Sequence, residues 1–284
     1  QVVDEEVSMD VISNFAARYE RTREEEYTLE EYLDICKRDK TAFATAAERM
    51  LLAIGEPQMI DTRNDPRLSR IFTNKVIKIY PAFEEFFGME DAIEQVVSYF
   101  RHAAQGLEEK KQILYLLGPV GGGKSSIAER LKSLAEKVPF YAIKGSPVNE
   151  SPLGLFNEAE DGTILEEDYG IARRYLRGIP SPWAVKRLQE FNGDINRFRV
   201  VKRFPSVLKQ IAIAKTEPGD ENNQDISSLV GKVDIRKLED FAQDDTDAYS
   251  YSGGLCLANQ GLLEFVEMFK APIKVLHPLL TATQ

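Results

Sequence analysis

Residues Gly118-Pro119-Val120-Gly121-Gly122-Gly123-Lys124-Ser125 follow the spacing G-x-x-x-x-G-K-S. Glycines at these positions let successive backbone N–H groups turn inward around phosphate oxygens, where a side chain would block the approach. Lys124 carries an ammonium group with the reach for β- and γ-phosphates, and the Ser125 hydroxyl suits Mg²⁺. Ser126 closes the phosphate-binding run. The chemistry these residue types support is the binding of a nucleoside triphosphate with its metal ion.

Such a loop needs a strand before it and a helix after it. Gln112-Ile113-Leu114-Tyr115-Leu116-Leu117 is a short run rich in branched and aromatic residues and predicts a buried strand. Ile127, Leu131 and Leu134 recur at helical spacing and predict a helix beginning at the loop. That helix adds unpaired N–H groups and the positive end of its dipole. Strand, glycine loop and helix in this order give the motif a mechanism. An ordinary glycine-rich turn, the bland alternative, has no such context.

Hydrolysis or transfer also needs carboxylates at the end of a neighbouring strand, to hold Mg²⁺ through water and to polarise the attacking group. The best candidates lie in Ala258-Asn259-Gln260-Gly261-Leu262-Leu263-Glu264-Phe265-Val266-Glu267. This stretch resembles the A-N-R-G, hydrophobic strand, D-E segment of helix-insert AAA+ proteins such as magnesium chelatases. The resemblance gives Glu267 the place of the water-polarising glutamate and puts Val266 where the aspartate stands. Glu264 is the substitute on the metal side. Alternation along a strand would turn Glu264 away from Glu267. If the strand ends at Leu263 and a helix begins, the two share a face. Two surface glutamates on an amphipathic helix running to Met268 and Phe269 are the competing reading.

Composition narrows the class. The 284 residues carry 46 Asp and Glu against 36 Lys and Arg, a net charge of −10, which argues against a broad basic face for nucleic acid. The clusters Arg173-Arg174 with Arg177, and Lys202-Arg203, read as solvated faces or phosphate contacts. Hydrophobic residues at 43% and charged residues at 29% describe a soluble globular protein of one large domain or two modest ones. No apolar run is long enough to span a bilayer, so no membrane partner is expected. Cys36 and Cys256 lie far apart without metal-ligand spacing and predict idle thiols in a reducing, cytoplasmic compartment. A chain that opens at Gln1 and stops at Gln284 reads as a fragment.

The first 80 residues read as helical. Val11, Ile12, Phe15 and Tyr19 give residues 10–23 an apolar stripe expected to pack against a neighbour. Thr28-Leu29-Glu30-Glu31 is a capping box, and residues 42–54 predict a third helix stopped near Gly55 and Pro57. Met89, Ile93, Val96, Val97 and Phe100 predict a helix ahead of the phosphate-loop strand. Phe86-Phe87-Gly88-Met89-Glu90 resembles the box II segment of AAA+ ATPases, which passes near the adenine; a hydrophobic turn anchoring the helix is the equal alternative. Residues 138–143 read as the next strand. From about 146 to 257 the pattern is irregular, with a helix at 183–191 and strands at 198–201 and 210–214. The polar loop 217–225 lacks the glycine and glutamate a calcium loop needs.

Longer stretches carry a more specific likeness. Residues 103–126, from Ala103-Ala104-Gln105-Gly106 through the phosphate loop, resemble the PrkA (YeaG-type) serine protein kinases of bacteria. So do Lys215-Thr216-Glu217-Pro218-Gly219-Asp220-Glu221-Asn222-Asn223-Gln224-Asp225, residues 264–280, and Ala46-Ala47-Glu48-Arg49-Met50-Leu51-Leu52-Ala53-Ile54-Gly55. The resemblance covers nearly the whole chain. It implies an N-terminal AAA+ module, followed by a kinase-like region, in cytoplasmic proteins tied to stress, stationary-phase or sporulation responses. The sensor strand, the trans-acting arginine and the lid are then expected beyond Gln284. No H-R-D or D-F-G kinase set is present.

The expected fold is therefore an α/β P-loop NTPase of AAA+ type. A parallel sheet flanked by helices would occupy residues 81–284, with a long insert at about 146–257, fronted by a helical segment at 1–80. The expected function is an ATP-binding, Mg²⁺-dependent module of a PrkA-type serine kinase. Lys124 and Glu267 would be catalytic, Gly118 to Ser126 would hold the nucleotide, and Ser125 with Glu264 would serve the metal. Its partners would be ATP and a protein phosphorylated on serine, with self-assembly left open. One rival is a nucleotide-gated scaffold with little chemistry, favoured by Val266 in the aspartate position. Another is an ATP-driven remodelling or protease motor, for which no Ser–Lys pair is identifiable. A small-molecule kinase fits poorly with the long N-terminal region.

Overall fold

The computed structural model describes residues 2–72, 75–107, 111–217, 226–271 and 273–282, with side chains from Val11 onward apart from Arg21, Leu280 and Ala282. The chain opens with α1 (Val2–Arg21), β1 (Glu25–Thr28), α2 (Leu29–Arg38) and α3 (Ala46–Ile54). A hairpin of β2 (Gln58–Asp61) and β3 (Val76–Ile79) precedes α4 (Glu90–Ala104), and α5 (Lys124–Ala135) follows the phosphate loop. Next come β4 (Phe140–Ile143), α6 (Glu158–Tyr169), α7 (Pro182–Glu190), β5 (Arg199–Arg203) and β6 (Ile213–Thr216). Short elements follow: α8 (Ser227–Val230), β7 (Lys232–Val233), β8 (Tyr249–Ser250) and α9 (Gly254–Leu257). The last are β9 (Leu262–Phe265) and α10 (Ile273–Ala282).

Local sequence explains the helix starts. The Thr28 and Thr45 hydroxyls accept the N–H groups of Glu31 and Glu48, and both glutamates accept the threonine N–H at 2.7 Å. Each box fills donors that a helix start otherwise leaves open. Thr45 also divides the helix expected over 42–54. Lys40–Phe43 forms a 3-10 turn, and α3 begins only after the threonine.

The first 80 residues are not helical throughout, since they hold β1, β2 and β3. β1 escapes a hydrophobicity pattern because charge holds it. Glu25 lies opposite Lys202 in an antiparallel ladder with β5, Glu26 pairs with Arg199 and Lys144, and Glu24 with Arg203. β5 also pairs with β4, giving the sheet order β1-β5-β4. The apolar stripe of α1 behaves differently from expectation as well: Val11, Ile12, Phe15 and Tyr19 all stay more than half exposed.

Two cores do most of the packing. Met50 and Ile54 of α3, Ile93, Val97 and Phe100 of α4, and Ile127, Leu131 and Leu134 of α5 meet in one. Tyr32 and Cys36 of α2, Tyr141 of β4, Leu165 of α6 and Val200 of β5 meet in the other.

Among the described residues the one parallel ladder is β6–β9, running from Ile213 opposite Leu262 to Thr216 opposite Phe265. The strand expected over 210–214 is displaced because Gln210 and Ala212 adopt left-handed φ values of 52° and 55°, so pairing starts at Ile213. The segment 113–117 joins no ladder among the described residues. It does alternate as a strand would: Leu114 and Leu116 pack on the first core, while Ile113, Tyr115 and Leu117 face outward.

Candidate nucleotide-binding site

The glycine loop closes on itself. The Gly122 N–H donates to the Pro119 carbonyl at 3.1 Å, and Gly121 and Gly123 adopt φ values of 79° and 77°. A Cβ on Gly122 would sit 3.0 Å from that carbonyl, and one on Gly123 would sit 3.0 Å from Met89 Sδ. Backbone conformation and close approach both demand glycine here. Gly123 is the N-cap of α5, yet no side chain accepts from the first turn of that helix. Its backbone donors are left for an anion. Gly118, Pro119, Val120, Gly121, Ser125 and Ser126 are all exposed.

Lys124 lies across this turn. Its Nζ donates to the carbonyls of Gly118 and Pro119 at 2.6 and 2.7 Å. An ammonium group anchored only by neutral carbonyls exchanges readily for phosphate oxygens, which are stronger acceptors. Beneath the loop α5 is fixed by Ile127, Leu131 and Leu134 in the core and by an ion pair from Arg130 to Glu85. The glycine turn, the uncapped helix and the carbonyl-held lysine fit a triphosphate, and the exposed Ser125 hydroxyl fits a metal ion shared with it. Among the described residues no group of three or more His, Cys, Asp or Glu gathers as a protein-only metal cage would require.

The two acidic candidates occupy different surroundings. Glu264 lies within β9, which runs on to Phe265, so the helix that would bring it onto one face with Glu267 does not form there. Its Oε2 sits 2.7 Å from Nζ of Lys132 on α5, whose side chain is 3% exposed. That ion pair is the one partner of this buried oxygen among the described residues, so Glu264 is neutralised by Lys132 alone. Lys132 also reaches Glu129 at 2.6 Å. Burial disfavours the Lys132 ammonium, but the two carboxylates outweigh it and hold its pKa above the ordinary value. Glu267 stands two residues past the strand with φ 51°, exposed, accepting from Lys270 at 2.8 Å.

Sequence reasoning missed how β9 is anchored. The Gln260 amide donates to the carbonyls of Tyr141 and Asn149 at 3.0 and 2.6 Å, and Asn259 donates to Val148 at 2.8 Å. The Gln260 carbonyl accepts from Arg49, a guanidinium buried over the Phe140 ring whose pKa burial lowers to about 10. A Cβ on Gly261 would lie 1.7 Å from the Ala212 carbonyl, so only glycine passes there. The two amides beside a glycine were visible in the sequence; the partners of the amides, more than a hundred residues away, were not.

Other expected features find plain places. Cys36 is buried and its thiol is pushed up to about 12 by burial, while the half-buried Cys256 is raised for the same reason. The basic clusters are matched by carboxylates: Arg173 by Glu166, Arg174 by Glu48, Arg177 by Glu158, Lys202 by Glu25 and Arg203 by Glu24. Among the described residues no helix is long and apolar enough to cross a membrane. Residues 218–225 of the polar loop lie outside the described residues.

The loop and its helix are joined by a match along the whole domain. The sequence profile of the PrkA AAA domain matches residues 27–284. The chain belongs to that family. A PrkA AAA domain is a P-loop NTPase unit of the α/β class, in keeping with the mixed helices and sheets described above. The chain is 70% identical over 280 residues to the serine/threonine kinase YeaG of Escherichia coli strain K12, covering 97% of this chain and 44% of that protein. It is 35% identical over 285 residues to the ATP-dependent protease PrkA of Bacillus subtilis strain 168, covering 94% of this chain and 42% of that protein. The chain thus spans less than half the length of these relatives. No solved structure matches it.

Proposed function

We propose that this PrkA AAA domain binds ATP with Mg²⁺ at residues 118–126 and supports phosphoryl transfer, to water or to a serine of a protein substrate. The observation that carries the proposal is the uncapped start of α5 beneath a turn whose φ values and close contacts demand glycine. Lys124 would exchange its two carbonyl partners for β- and γ-phosphate oxygens, and Ser125 would hold the metal. Bound Mg-ATP supplies the transferable phosphoryl group. Glu267 would orient the attacking hydroxyl, and Glu264 would reach the metal only by letting go of Lys132. We also read residues 112–117 as a further strand of a parallel sheet beside β9, with 81–284 as the nucleotide-binding unit. Support comes from Leu114, Leu116 and Leu262 packing on the same core. The serine specificity draws on the name of the kinase relative alone.

Calorimetric titration tests the reading. Lys124→Ala should weaken ATP binding by at least about 100-fold, the loss of a charge-assisted contact to phosphate. Unchanged affinity would remove the loop from the proposal. Glu267→Gln should keep ATP affinity and slow turnover by about 100-fold, the size of a general-base contribution.

A second reading has its own support. Val266 occupies the aspartate position and Lys132 already neutralises Glu264, which favours a nucleotide-gated scaffold with little chemistry. A change of assembly mass on adding ATP, without phosphate release, would select it. The protease name of the second relative suggests a motor instead, for which no described residue pair argues.

A further inference from the structure

Arg49 lies near the start of α3 and is 6% exposed. Its guanidinium is shared between two carbonyls. One terminal nitrogen donates to Ala44, just ahead of α3, and the other to Gln260, just ahead of β9. An apolar side chain of similar length would fill this space without the desolvation cost of a cation. What it would lack is a directed grip on two backbone oxygens. α3 is itself held fast: Glu48 closes the capping box on Thr45 and also accepts from Tyr175 at 2.6 Å and Arg174 at 2.9 Å. The guanidinium therefore ties Gln260 to a fixed platform.

The β6–β9 ladder begins at a crowded corner. Gln260 and Ala212 hold φ values of 60° and 55°, and the Leu262 N–H donates to the Ala212 carbonyl at 2.8 Å. Left-handed backbone is unfavourable for residues other than glycine and persists where the surroundings hold it. β7 and β8 lie between β6 and β9 in the chain, so no tight turn sets the register of the pair. A slip of one residue would turn Glu264 away from Lys132 and bring Leu263 or Phe265 to that face. It would also carry Glu267 about 3.3 Å along the strand.

We propose that Arg49 is a positioning residue: it pins the start of β9 to α3 and so sets the register that presents Glu267 beyond the far end of the strand. Its effect on turnover rests on the function proposed above; the pinning does not. β9 is only four residues long, so an error at the corner reaches the carboxylates undamped. Misplacing a reacting group by about 1 Å can cost about 100-fold in rate, and a slip of one residue exceeds that distance.

The test compares Arg49→Met with Ile54→Ala, which opens a gap in the core at the other end of α3. Hydrogen–deuterium exchange of the 284-residue chain reads the pin directly. In Arg49→Met the amides of residues 262–266 should exchange at least about tenfold faster relative to those of 127–134 on α5. In Ile54→Ala both sets should speed up together. Steady-state kinetics reads the consequence: Arg49→Met should lower kcat for ATP at least about tenfold with KM unchanged, and Ile54→Ala should leave kcat as it is. Arg49→Lys keeps a cation but not the planar group that reaches both carbonyls, and should show the same two changes in smaller measure. The result then does not depend on one variant folding well. The proposal is overturned if β9 and α5 amides respond alike in the arginine variants, or if kcat in those variants matches Ile54→Ala. A parent chain without turnover would count against the function proposed above, and the exchange ratio would then decide the pin alone.

Discussion

α3 and α5 contribute to the same core, and their first turns are finished in opposite ways. At α3, Thr45 and Glu48 satisfy each other's backbone donors. At α5, Gly123 has no side chain with which to do so, and the donors of the first turn open over a glycine loop. The first helix start is complete in itself. The second is unfinished, and its exposed donors are open to water or to an anion. Two neighbouring helices thus separate a start the chain closes by itself from the one the proposed function assigns to a nucleotide.

The largest expected effect lies at the buried end of α5. Lys132→Met would leave Glu264 inside without its counter-charge, and unfolding free energy should fall by about 3 kcal/mol in denaturant titration. A loss below about 1 kcal/mol would rank the pair with ordinary surface bridges and leave α5 held by its apolar face alone. Gly123→Ala comes next. It forces a Cβ into left-handed backbone against Met89, about 1–2 kcal/mol of strain, and ATP affinity should drop with it. Thr45→Ala should lower stability by about 1 kcal/mol and leave ATP affinity unchanged. If affinity fell there too, the two helix starts would not be independent.

The smallest effect concerns acid, in a region remote from both helices. Asp247 is held by Lys186 and Arg187 at 2.6 and 2.8 Å. Burial raises its pKa, but the two cations outweigh that and keep it below the ordinary 3.8. A lowered carboxylate stabilises the fold above its unfolded value and loses that contribution as pH falls through the folded one. Melting temperature should therefore decline below about pH 4 more steeply in the parent than in Asp247→Asn.

Much of this was legible as local pattern. The phosphate loop, the helix behind it, the Thr28 capping box and the stripe of α4 depend on neighbours within a few residues, and each appears where its spacing placed it. What sequence could not supply was long-range. β1 reads as a run of charge because its partners are the basic residues of β5. The division of Glu264 and Glu267 between a buried lysine and solvent depended on where β9 ends, and apolar residues on both sides of that end hid it. Arg49, an unremarked charge in a helix, is fixed by a carbonyl 211 positions further along the chain. The segment 112–117 has the composition and alternation of a strand, but a ladder also needs a partner alongside.

Three consecutive glutamates, Glu24 to Glu26, fasten the leading helix to the body through Arg203, Lys202 and Arg199. A clasp of this kind answers to ionic strength while greasy contacts do not, because mobile ions crowd around exposed charges and dull their attraction. In brine these ion pairs would weaken, and the β1–β5 ladder with Tyr27 on the second core would carry the attachment. The exposed valine, isoleucine and aromatic side chains of α1 thus ride on a joint whose ionic part the surrounding electrolyte tunes.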